Sequence, residues 1–352
     1  MKAYRMHGLG VSRLDEGIEE PQPGTGEALI APEAAGICGT DLHVLHEGVF
    51  VDLDRGLPVT MGHEVVGRVV ALGPAPAGGW NLLNGGERLN EGDRVVAEPL
   101  LNCGVCAQCV RGFPNLCQNW SHLGFSRNGV WAELVTIPAS RLTLIADDVP
   151  AEHAVLAEPL ACALHFLNRA RVHQGDSVLI LGGGPAGQLT LLAAREAGAG
   201  RVFLSDPVAS RRQLATSLGA DATIDPSAID VDTLVRQQNG GIGADIVIEI
   251  AGTPPAVTQA FELPRPGGTL VLAGICGATP IPVDTNRVVN NEIDVRGAFA
   301  TRWQMAAAVT TLERRTIDVS PIISSVRPWT EAGLAIRDLD ENPDTCKVVL
   351  RF

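Results

Sequence analysis

A glycine-rich turn constrains the fold of this chain more than any other feature. The apolar run Ser177–Leu181 is typical of a buried strand, and the pattern over Gln188–Ala197 predicts a helix. Between them lies Gly182-x-Gly184-x-x-Gly187. Glycines at that spacing permit a tight turn and a close backbone approach to a pyrophosphate, which meets the positive end of the helix dipole. The sequence therefore predicts a dinucleotide-binding unit.

Strand and helix patterns alternate along the chain after this turn. Strands alternating with helices imply a parallel doubly wound sheet. The pattern predicts strands at Arg201–Ser205, Asp245–Ile250 and Thr269–Ala273, and helices at Arg211–Leu218 and Pro255–Leu263, with an earlier helix over His153–Arg171.

The first 150 residues carry a different pattern, in which short β-type runs are broken by Gly and Pro. Examples are Glu27–Ile30, Val65–Leu72 and Asp93–Ala97, and they predict a mostly antiparallel, barrel-like β domain. Residues 74–92 predict a surface loop, and Lys347–Phe352 predicts a strand that returns to the first domain. We therefore expect a β domain from 1–155 and 298–352, and an α/β cofactor domain from 156–297.

Asp206 ends the strand that follows the glycine-rich turn, nineteen residues after Gly187. A carboxylate there accepts hydrogen bonds from the adenosine ribose hydroxyls and repels a 2′-phosphate, so NAD is favoured over NADP. Arg211 is placed to contact the same ribose, and it leaves tolerance of NADP open. Arg212 is interpreted as a solvated helix charge.

Four cysteines fall within a short segment as Cys103-x2-Cys106-x2-Cys109-x7-Cys117. Four thiolates satisfy a tetrahedral Zn²⁺ completely and so mark a structural ion, here in a lobe at 100–120. Disulfides are the alternative, but nothing else in the sequence is typical of a secreted protein.

A second group of metal-type residues is spread over three segments: Cys38 to His43, Gly62-His63-Glu64, and Glu158 to Cys162. Cys, His and Glu form a plausible set of zinc ligands that leaves one position open for water or substrate. Each residue alone is weak evidence, because a single buried Cys is usually an inert small hydrophobe. Cys162, four residues after Glu158, is a less favoured candidate for the same zinc-ligand position.

The bulk composition excludes several classes of partner. A length of 352 residues suggests about two domains, and a net charge of −13 disfavours nucleic acid or an anionic membrane surface. With neither a signal peptide nor an apolar run of about 18 residues, we expect no membrane span and a cytoplasmic protein with reduced cysteines.

Taken together and in this order, the Cys38-Gly39-Thr40-Asp41-x-His43 segment, Gly62-His63-Glu64, the four cysteines and the glycine-rich turn closely resemble the zinc-dependent medium-chain dehydrogenase/reductase superfamily. The resemblance spans essentially the whole chain. It implies a GroES-like β-barrel catalytic domain beside a Rossmann domain, two Zn²⁺ per chain, and NAD. The segment at Glu158 is similar to the sorbitol (polyol) and threonine dehydrogenase branch.

The resemblance also implies residue roles. Cys38 and His63 would bind the catalytic zinc, with Glu64 or Glu158 approaching the metal. Thr40 and His43 match a proton relay, Asp41 a carboxylate that orients the zinc histidine, and Lys347 a cation near Glu64. The implied cofactor contacts are Gly182, Gly184, Pro185, Ala186, Gly187, Asp206, Arg211, Ile275, Ala298 and Ala300.

The expected function is oxidation of a secondary alcohol, such as a polyol or cyclitol, to a ketone. Ala300-Thr301 stands where sorbitol dehydrogenases carry an Arg-Tyr pair, which puts a linear sorbitol-like substrate in doubt. A carbonyl reductase and a catalytically silent zinc- and nucleotide-binding protein stay open as alternatives, as does the choice of homodimer or homotetramer. The candidate substrate-facing residues are His46, Glu47, Phe50, Trp120, His122, Phe125, Phe299, Ala300, Thr301 and Arg302.

Overall fold

The structure is a computed structural model that describes residues 1–54, 56–76, 88–277 and 280–352. By its internal contacts the chain divides into two compact units. Unit 1 comprises Met1–Glu158, Thr301–Arg315 and Ile323–Phe352, and unit 2 comprises Pro159–Ala300 and Thr316–Ile322. The surface loop predicted at 74–92 falls largely on residues 77–87, outside the described residues, and stays a prediction.

The strands and helices follow one another along both units. The strands are β1 (Ala3–Gly8), β2 (Val11–Asp15), β3 (Glu27–Ile37), β4 (Val59–Thr60), β5 (Glu64–Leu72), β6 (Arg94–Ala97), β7 (Leu100–Leu101), β8 (Ser121–His122), β9 (Val135–Pro138), β10 (Leu142–Leu144), β11 (Ser177–Leu181), β12 (Arg201–Ser205), β13 (Ala222–Ile224), β14 (Ala244–Glu249), β15 (Pro264–Leu272), β16 (Asp294–Gly297), β17 (Ile323–Pro328) and β18 (Lys347–Arg351). The α-helices are α1 (Gly39–Glu47), α2 (Ala107–Val110), α3 (Ala151–Ala154), α4 (Ala157–Ala170), α5 (Pro185–Glu196), α6 (Ala209–Ser217), α7 (Val231–Gln238), α8 (Pro254–Ala260), α9 (Thr285–Asn290), α10 (Met305–Arg314) and α11 (Ala332–Glu341).

A parallel sheet forms the centre of unit 2, in the order β13-β12-β11-β14-β15-β16. Counted from β11, this is the 3-2-1-4-5-6 order of doubly wound dinucleotide-binding folds. Its central strands are apolar along their whole length because helices cover both faces: Val178, Leu179 and Ile180 are fully buried. The predicted parallel sheet is confirmed.

A mostly antiparallel sheet forms the centre of unit 1, in the order β10-β6-β5-β3-β18-β17, with β9 pairing β3. The C-terminal strand β18 pairs antiparallel with β3 and thus returns to unit 1, as predicted. A smaller sheet, β2-β1-β4, packs against the same core, which contains the fully buried Met6, Ile30 and Trp131.

The helix predicted over His153–Arg171 is confirmed from Ala157 onward as α4, but the residues before it belong to a separate short helix, α3. Pro159 explains the break. Proline has no N–H and fits only the first turn of a helix, so a continuous helix through this position is disfavoured. Helix α4 begins at Ala157, which leaves Pro159 in its first turn. Within the described residues, no helix is both long enough and apolar enough to cross a membrane.

Candidate active site and metal centres

Cys38 lies at the junction between β3 and α1, where it caps the helix. Its sulfur accepts a hydrogen bond from the backbone N–H of Thr40, and the side chain of Asp41 accepts one from the N–H of Cys38 at 2.9 Å. This reciprocal capping box satisfies amides at the helix start that have no partner within the helix. The thiol is therefore held in place by the local fold of its own segment.

His63 lies between β4 and β5 and contacts the same carboxylate. Its Nδ1 is 3.0 Å from Asp41 Oδ1, and the side chains are 5% and 1% exposed. Burial lowers the pKa of His63, but the charge of Asp41 and its hydrogen bond outweigh this and hold the pKa well above its usual range. A carboxylate on Nδ1–H fixes the ring, and a metal ion on Nε2 would replace the proton that this nitrogen otherwise carries. Asp41 thus orients His63, as the resemblance implied.

Glu64 begins β5, and its carboxylate forms a fully buried ion pair with Lys347. Lys347 Nζ also donates to the carbonyl oxygen of Ile37 at 3.0 Å. Burial lowers the pKa of Lys347, but the Glu64 charge outweighs it and raises the pKa overall. The predicted cation beside Glu64 is confirmed. The second carboxylate oxygen of Glu64, Oε1, is buried and has no hydrogen-bond donor among the described residues.

Cys38, His63 and Glu64 form one group whose ligand atoms all lie within 4.8 Å of one another. Zinc binds sulfur at about 2.3 Å and nitrogen or oxygen at about 2.0–2.2 Å, so a single ion can reach all three atoms after small movements. The buried Oε1 of Glu64, which has no donor among the described residues, is the observation that best fits a cation. The donor set fits a zinc ion, and its assignment as the catalytic site stays a prediction.

The structure does not bring Glu158 into that group. Glu158 is 8% exposed at the start of α4, and its charge acts on the buried Glu98, which pairs with Arg141 at 3.0 Å. Burial raises the pKa of Glu98 to about 7, Arg141 opposes this, and Glu158 adds to it. Direct binding of zinc by Glu158 stays a prediction. The sequence analysis missed Glu98 and Arg141, although a Glu directly after strand β6 was a visible signal.

The predicted relay residues both belong to α1. Thr40 Oγ1 lies 3.6 Å from Cys38 Sγ, next to the proposed metal site. His43 is 57% exposed, and its Nδ1 lies 2.9 Å from Glu47 Oε1, one helical turn further on. The assignment of these residues to proton transfer stays a prediction.

The four-cysteine lobe brings its sulfur atoms close together. Cys106 Sγ is 3.5 Å from Cys109 Sγ and 3.8 Å from Cys117 Sγ, which is 3.5 Å from Cys103 Sγ. Tetrahedral zinc at about 2.3 Å from each sulfur separates the sulfurs by about 3.8 Å, whereas a disulfide needs about 2.05 Å. Backbone N–H groups, that of Cys109 foremost, lower the pKa of Cys106 to about 6 and favour the thiolate. The donors fit a structural zinc ion.

The glycine-rich turn of unit 2 depends on the absence of side chains. Gly182 has a φ of +111°, and a Cβ on Gly187 would collide with the carbonyl oxygen of Gly182. Asp206 is 4% exposed; its Oδ2 accepts the N–H of Gly183 at 2.7 Å and its Oδ1 that of Val208 at 2.8 Å. Arg211 lies 3.8 Å from Oδ2. The carboxylate is thereby fixed beside the turn.

The other predicted cofactor residues lie at the carboxyl ends of the parallel strands, where ligands bind in such sheets. Pro185 and Ala186 open α5 directly after the turn. Ile275 follows β15 and is 49% exposed, and the N–H of Ala298, just after β16, donates to Leu272. Ala300 has a φ of +52°. A residue missed by the sequence analysis is Glu249, which is fully buried at the end of β14, where burial raises its pKa.

Rings cluster around His63 in what we term the aromatic wall: Phe50, Trp120, His122 and Phe125. The His63 ring lies 5.3 Å from that of His122 and 5.2 Å from that of Phe125, both edge-on. His122 stacks on Phe125 at 4.2 Å. Phe50 contacts Phe125 at 6.1 Å and Trp120 at 5.8 Å. These predicted substrate-facing residues thus adjoin a proposed metal ligand.

Other residues predicted to face substrate have partners elsewhere in unit 1. Arg302 Nε donates to the carbonyl oxygen of Gly112 at 2.6 Å, and its guanidinium stacks on Phe113 at 4.1 Å. His46 pairs with Asp340 at 2.9 Å. Thr301 is 1% exposed. Arg302 and His46 therefore contact residues that do not belong to the aromatic wall.

Two family profiles match the sequence of this chain. Residues 24–147 match the alcohol dehydrogenase GroES-like domain, and residues 185–314 match the zinc-binding dehydrogenase profile.

Several relatives cover nearly the whole chain. The erythritol/L-threitol dehydrogenase of Mycolicibacterium smegmatis is 34% identical over 99% of this chain and 97% of its own length. The 2-dehydro-3-deoxy-L-galactonate 5-dehydrogenase of Pseudoalteromonas atlantica is 34% identical over 93% and 92%. A structure from Sinorhizobium meliloti, named as a zinc-binding dehydrogenase and solved with NADP, is 34% identical with a TM-score of 0.88 over 100% of this chain and 99% of that one.

Proposed function

This chain belongs to the zinc-dependent medium-chain dehydrogenase/reductase family, and we propose that it oxidises a secondary alcohol of the polyol type to a ketone, using NAD in preference to NADP. The membership confirms the predicted fold class, the enzyme class, and the zinc and nicotinamide dinucleotide cofactors. The observation that carries the proposal is the group of Cys38, His63 and Glu64, in which His63 and Glu64 are buried.

The residues of α1 and its neighbours account for the steps that the protein performs. Cys38, His63 and Glu64 would hold a zinc ion that lowers the pKa of a substrate hydroxyl, and the glycine-rich turn would hold a dinucleotide that can take the hydride from the carbinol carbon. Asp41 holds the Nδ1–H of His63, so Nε2 is the nitrogen that would take the metal ion in place of a proton. We assign Thr40 Oγ1 to accept the hydroxyl proton, and His43 with Glu47 to pass it to solvent. The products are a ketone, NADH and a proton.

The preference for NAD rests on Asp206. Its carboxylate is fixed by two backbone N–H groups beside the turn, and each oxygen keeps a lone pair for a ribose hydroxyl. A 2′-phosphate would meet that negative charge, although Arg211 offsets part of it. NADP in the Sinorhizobium meliloti structure makes this preference a point to test.

The proposal includes the assembly and location of the protein. We propose a homodimer or homotetramer in the cytoplasm. None of the eight cysteines, all of which lie among the described residues, forms a disulfide, which suits a reducing compartment.

The direct test is NADH formation, followed by absorbance, with zinc-quantified protein and a panel of secondary alcohols, polyols and cyclitols. NAD and NADP are compared in parallel, with and without a chelator. We expect turnover with NAD that chelation abolishes and zinc restores. Absence of turnover on every alcohol and matching ketone, by protein that holds two zinc ions and NAD, would contradict the proposal.

A further inference from the structure

Glu249 places a fully buried carboxyl group at the carboxyl edge of the parallel sheet of unit 2. In the register of that sheet it lies between Leu181 on one side and Leu272 on the other. These three residues end the neighbouring strands β11, β14 and β15, and ligands of such sheets bind beyond the carboxyl ends of the strands. Both neighbours are apolar, as is usual in a covered parallel sheet, so the packing of the sheet does not explain an acidic residue at this position.

The side chain of Glu249 holds the turn that follows its own strand, residues 250–252, which we term the β14 turn. Its Oε1 accepts a hydrogen bond from the N–H of Gly252 at 2.8 Å. Gly252 has a φ of +62°, in the left-handed region that favours glycine. The N–H groups of the other two residues of the turn donate to the carbonyl oxygen of Leu181, directly before the glycine-rich turn. Glu249 thus fixes the end of a turn whose beginning is tied to the strand that leads into the glycine-rich turn.

The β14 turn packs backbone to backbone on residues 273–275, which follow β15 and which we term the β15 turn. A Cβ on Gly252 would stand 2.6 Å from the carbonyl oxygen of Ile275. A Cβ on Gly274 would collide with the backbone of Gly252 and would stand 2.7 Å from Oε2 of Glu249. The carboxyl group therefore lies against both turns. Ile275 is 49% exposed, so the β15 turn presents this side chain to the open side of the edge.

The burial of this carboxyl group is unfavourable, which indicates a role beyond stability. Its second oxygen, Oε2, is buried and makes no hydrogen bond with the described residues. Burial raises the pKa of Glu249, and backbone N–H groups, that of Gly252 foremost, offset this only in part. A buried polar group without a partner costs free energy, and natural proteins keep such exceptions mainly at functional sites.

The place of the two turns in the sheet indicates which part of the dinucleotide they serve. In doubly wound sheets the dinucleotide lies across the point where the strand order reverses, here between β11 and β14. Asp206, after β12 on one side of this point, is assigned above to the adenosine ribose. The β14 and β15 turns lie on the other side, where the nicotinamide half would bind.

We propose that Glu249 is a positioning residue for the nicotinamide half of the dinucleotide. Because it is fully buried, it acts through its hydrogen bond to Gly252, which fixes the β14 turn and with it the β15 turn and Ile275. Binding of the whole dinucleotide therefore depends on Glu249, while binding of its adenosine half does not. This inference rests on the proposed function only in requiring a nicotinamide dinucleotide as the cofactor.

The test measures the binding of NADH and of 5′-AMP, which lacks the nicotinamide half, by calorimetric titration of zinc-loaded protein. Glu249→Met keeps the length of the side chain but removes the acceptor of the Gly252 N–H. We expect the Kd for NADH to rise at least about tenfold and that for 5′-AMP to change by less than about threefold, because only the nicotinamide side loses its support. Glu249→Gln keeps an oxygen acceptor, so its Kd for NADH should stay within about threefold of the wild type.

A second pair of variants changes the turn and leaves Glu249 in place. Gly252→Ala sets a Cβ against the carbonyl oxygen of Ile275, so it should weaken NADH binding and spare 5′-AMP binding in the same way. Gly240→Ala is the matched control, since Gly240 has a φ of +66° but open space around its Cβ. It carries the same backbone strain without the collision and should bind both ligands as the wild type does.

Three results would overturn the proposal. Equal weakening of NADH and 5′-AMP in Glu249→Met, with a lower thermal midpoint, would show a merely structural role. Unchanged NADH binding in Glu249→Met, or an equal loss in Glu249→Gln, would remove the hydrogen bond to Gly252 from cofactor binding. If Glu249→Met does not fold, the comparison of Gly252→Ala with Gly240→Ala decides. If no alcohol is oxidised but the two ligands respond as expected, the proposed function fails and the role of Glu249 stands.

Discussion

The carboxylate of Glu64 occupies the space in which a side chain on Gly36 would have to lie. The two residues are direct partners across β3 and β5. Because Gly36 has no Cβ, the carboxylate can fold against β3 and reach Lys347 in the core. A glycine in the interior of a strand often marks such a close approach.

The first prediction concerns Gly36→Ala. The added methyl displaces the Glu64 carboxylate, so zinc affinity at the catalytic site should fall by roughly 10–100-fold, as when outer partners of metal ligands are removed. Chelator competition measures the affinity, and turnover should fall with it. Gly8→Ala is the matched control, since a Cβ there has open space. Equal zinc affinity in both variants would show that Glu64 has no part in the site.

The second prediction uses the raised pKa of Glu98. Burial raises this pKa from the ordinary 4.5 to about 7. Between these pH values the folded protein holds a proton that the unfolded chain has released, so stability falls as pH rises through this window and is level above it. The loss is on the order of 3 kcal/mol. Glu98→Gln has no titrating group at this position, so it does not lose this stability. The thermal midpoint of Glu98→Gln minus that of the wild type should therefore be larger at pH 8 than at pH 5. A difference that is constant with pH would contradict the buried, protonated Glu98.

The third prediction concerns the structural zinc. Cys106→Ser removes one of four sulfur ligands, so zinc content should fall from about two ions per chain to about one, with a lower thermal midpoint. Cys276→Ser, a free thiol of unit 2, should retain both ions. Metal analysis by mass spectrometry gives the count. Unchanged stoichiometry in Cys106→Ser would refute a zinc ion in this lobe.

The fourth prediction concerns the choice of cofactor. Asp206→Asn keeps an oxygen for the N–H of Gly183 but removes the negative charge. The ratio of kcat/KM for NAD to that for NADP should fall at least about tenfold, and binding of 2′,5′-ADP relative to 5′-AMP should rise. Asp225→Asn, which loses only the ion pair of Arg212, is the control. A ratio that Asp206→Asn leaves unchanged would remove Asp206 from cofactor selection.

Features encoded within a short stretch of sequence could be predicted. Strands β11 and β12 have the predicted bounds. Each is an apolar run that starts at a polar residue and stops at a glycine or an aspartate, and such a run can be recognised from the sequence alone. The clustering of Cys103, Cys106, Cys109 and Cys117 could also be predicted, because these residues lie within fifteen positions of one another.

Contacts between distant segments could not be predicted from spacing. Sequence position cannot give the distance from Glu158 to Cys38 across 120 residues, and the structure leaves Glu158 outside the group of Cys38, His63 and Glu64. The pairing of Gly36 with Glu64 depends on strand register, and the contact of His122 Nδ1 with the carbonyl oxygen of Leu123 depends on a local turn. These properties follow from the packing of the whole unit.

The most direct measurement of the central claim compares two cysteine variants, Cys38→Ser and Cys162→Ser. Zinc content and NADH formation are measured on the same preparations with the best alcohol of the panel. Our account predicts that Cys38→Ser loses the catalytic zinc and at least about 10³-fold in turnover, because a ligand of the Lewis-acid site is gone, while Cys162→Ser keeps two ions and nearly full activity. Undiminished turnover by Cys38→Ser at equal zinc content, or loss confined to Cys162→Ser, would contradict it.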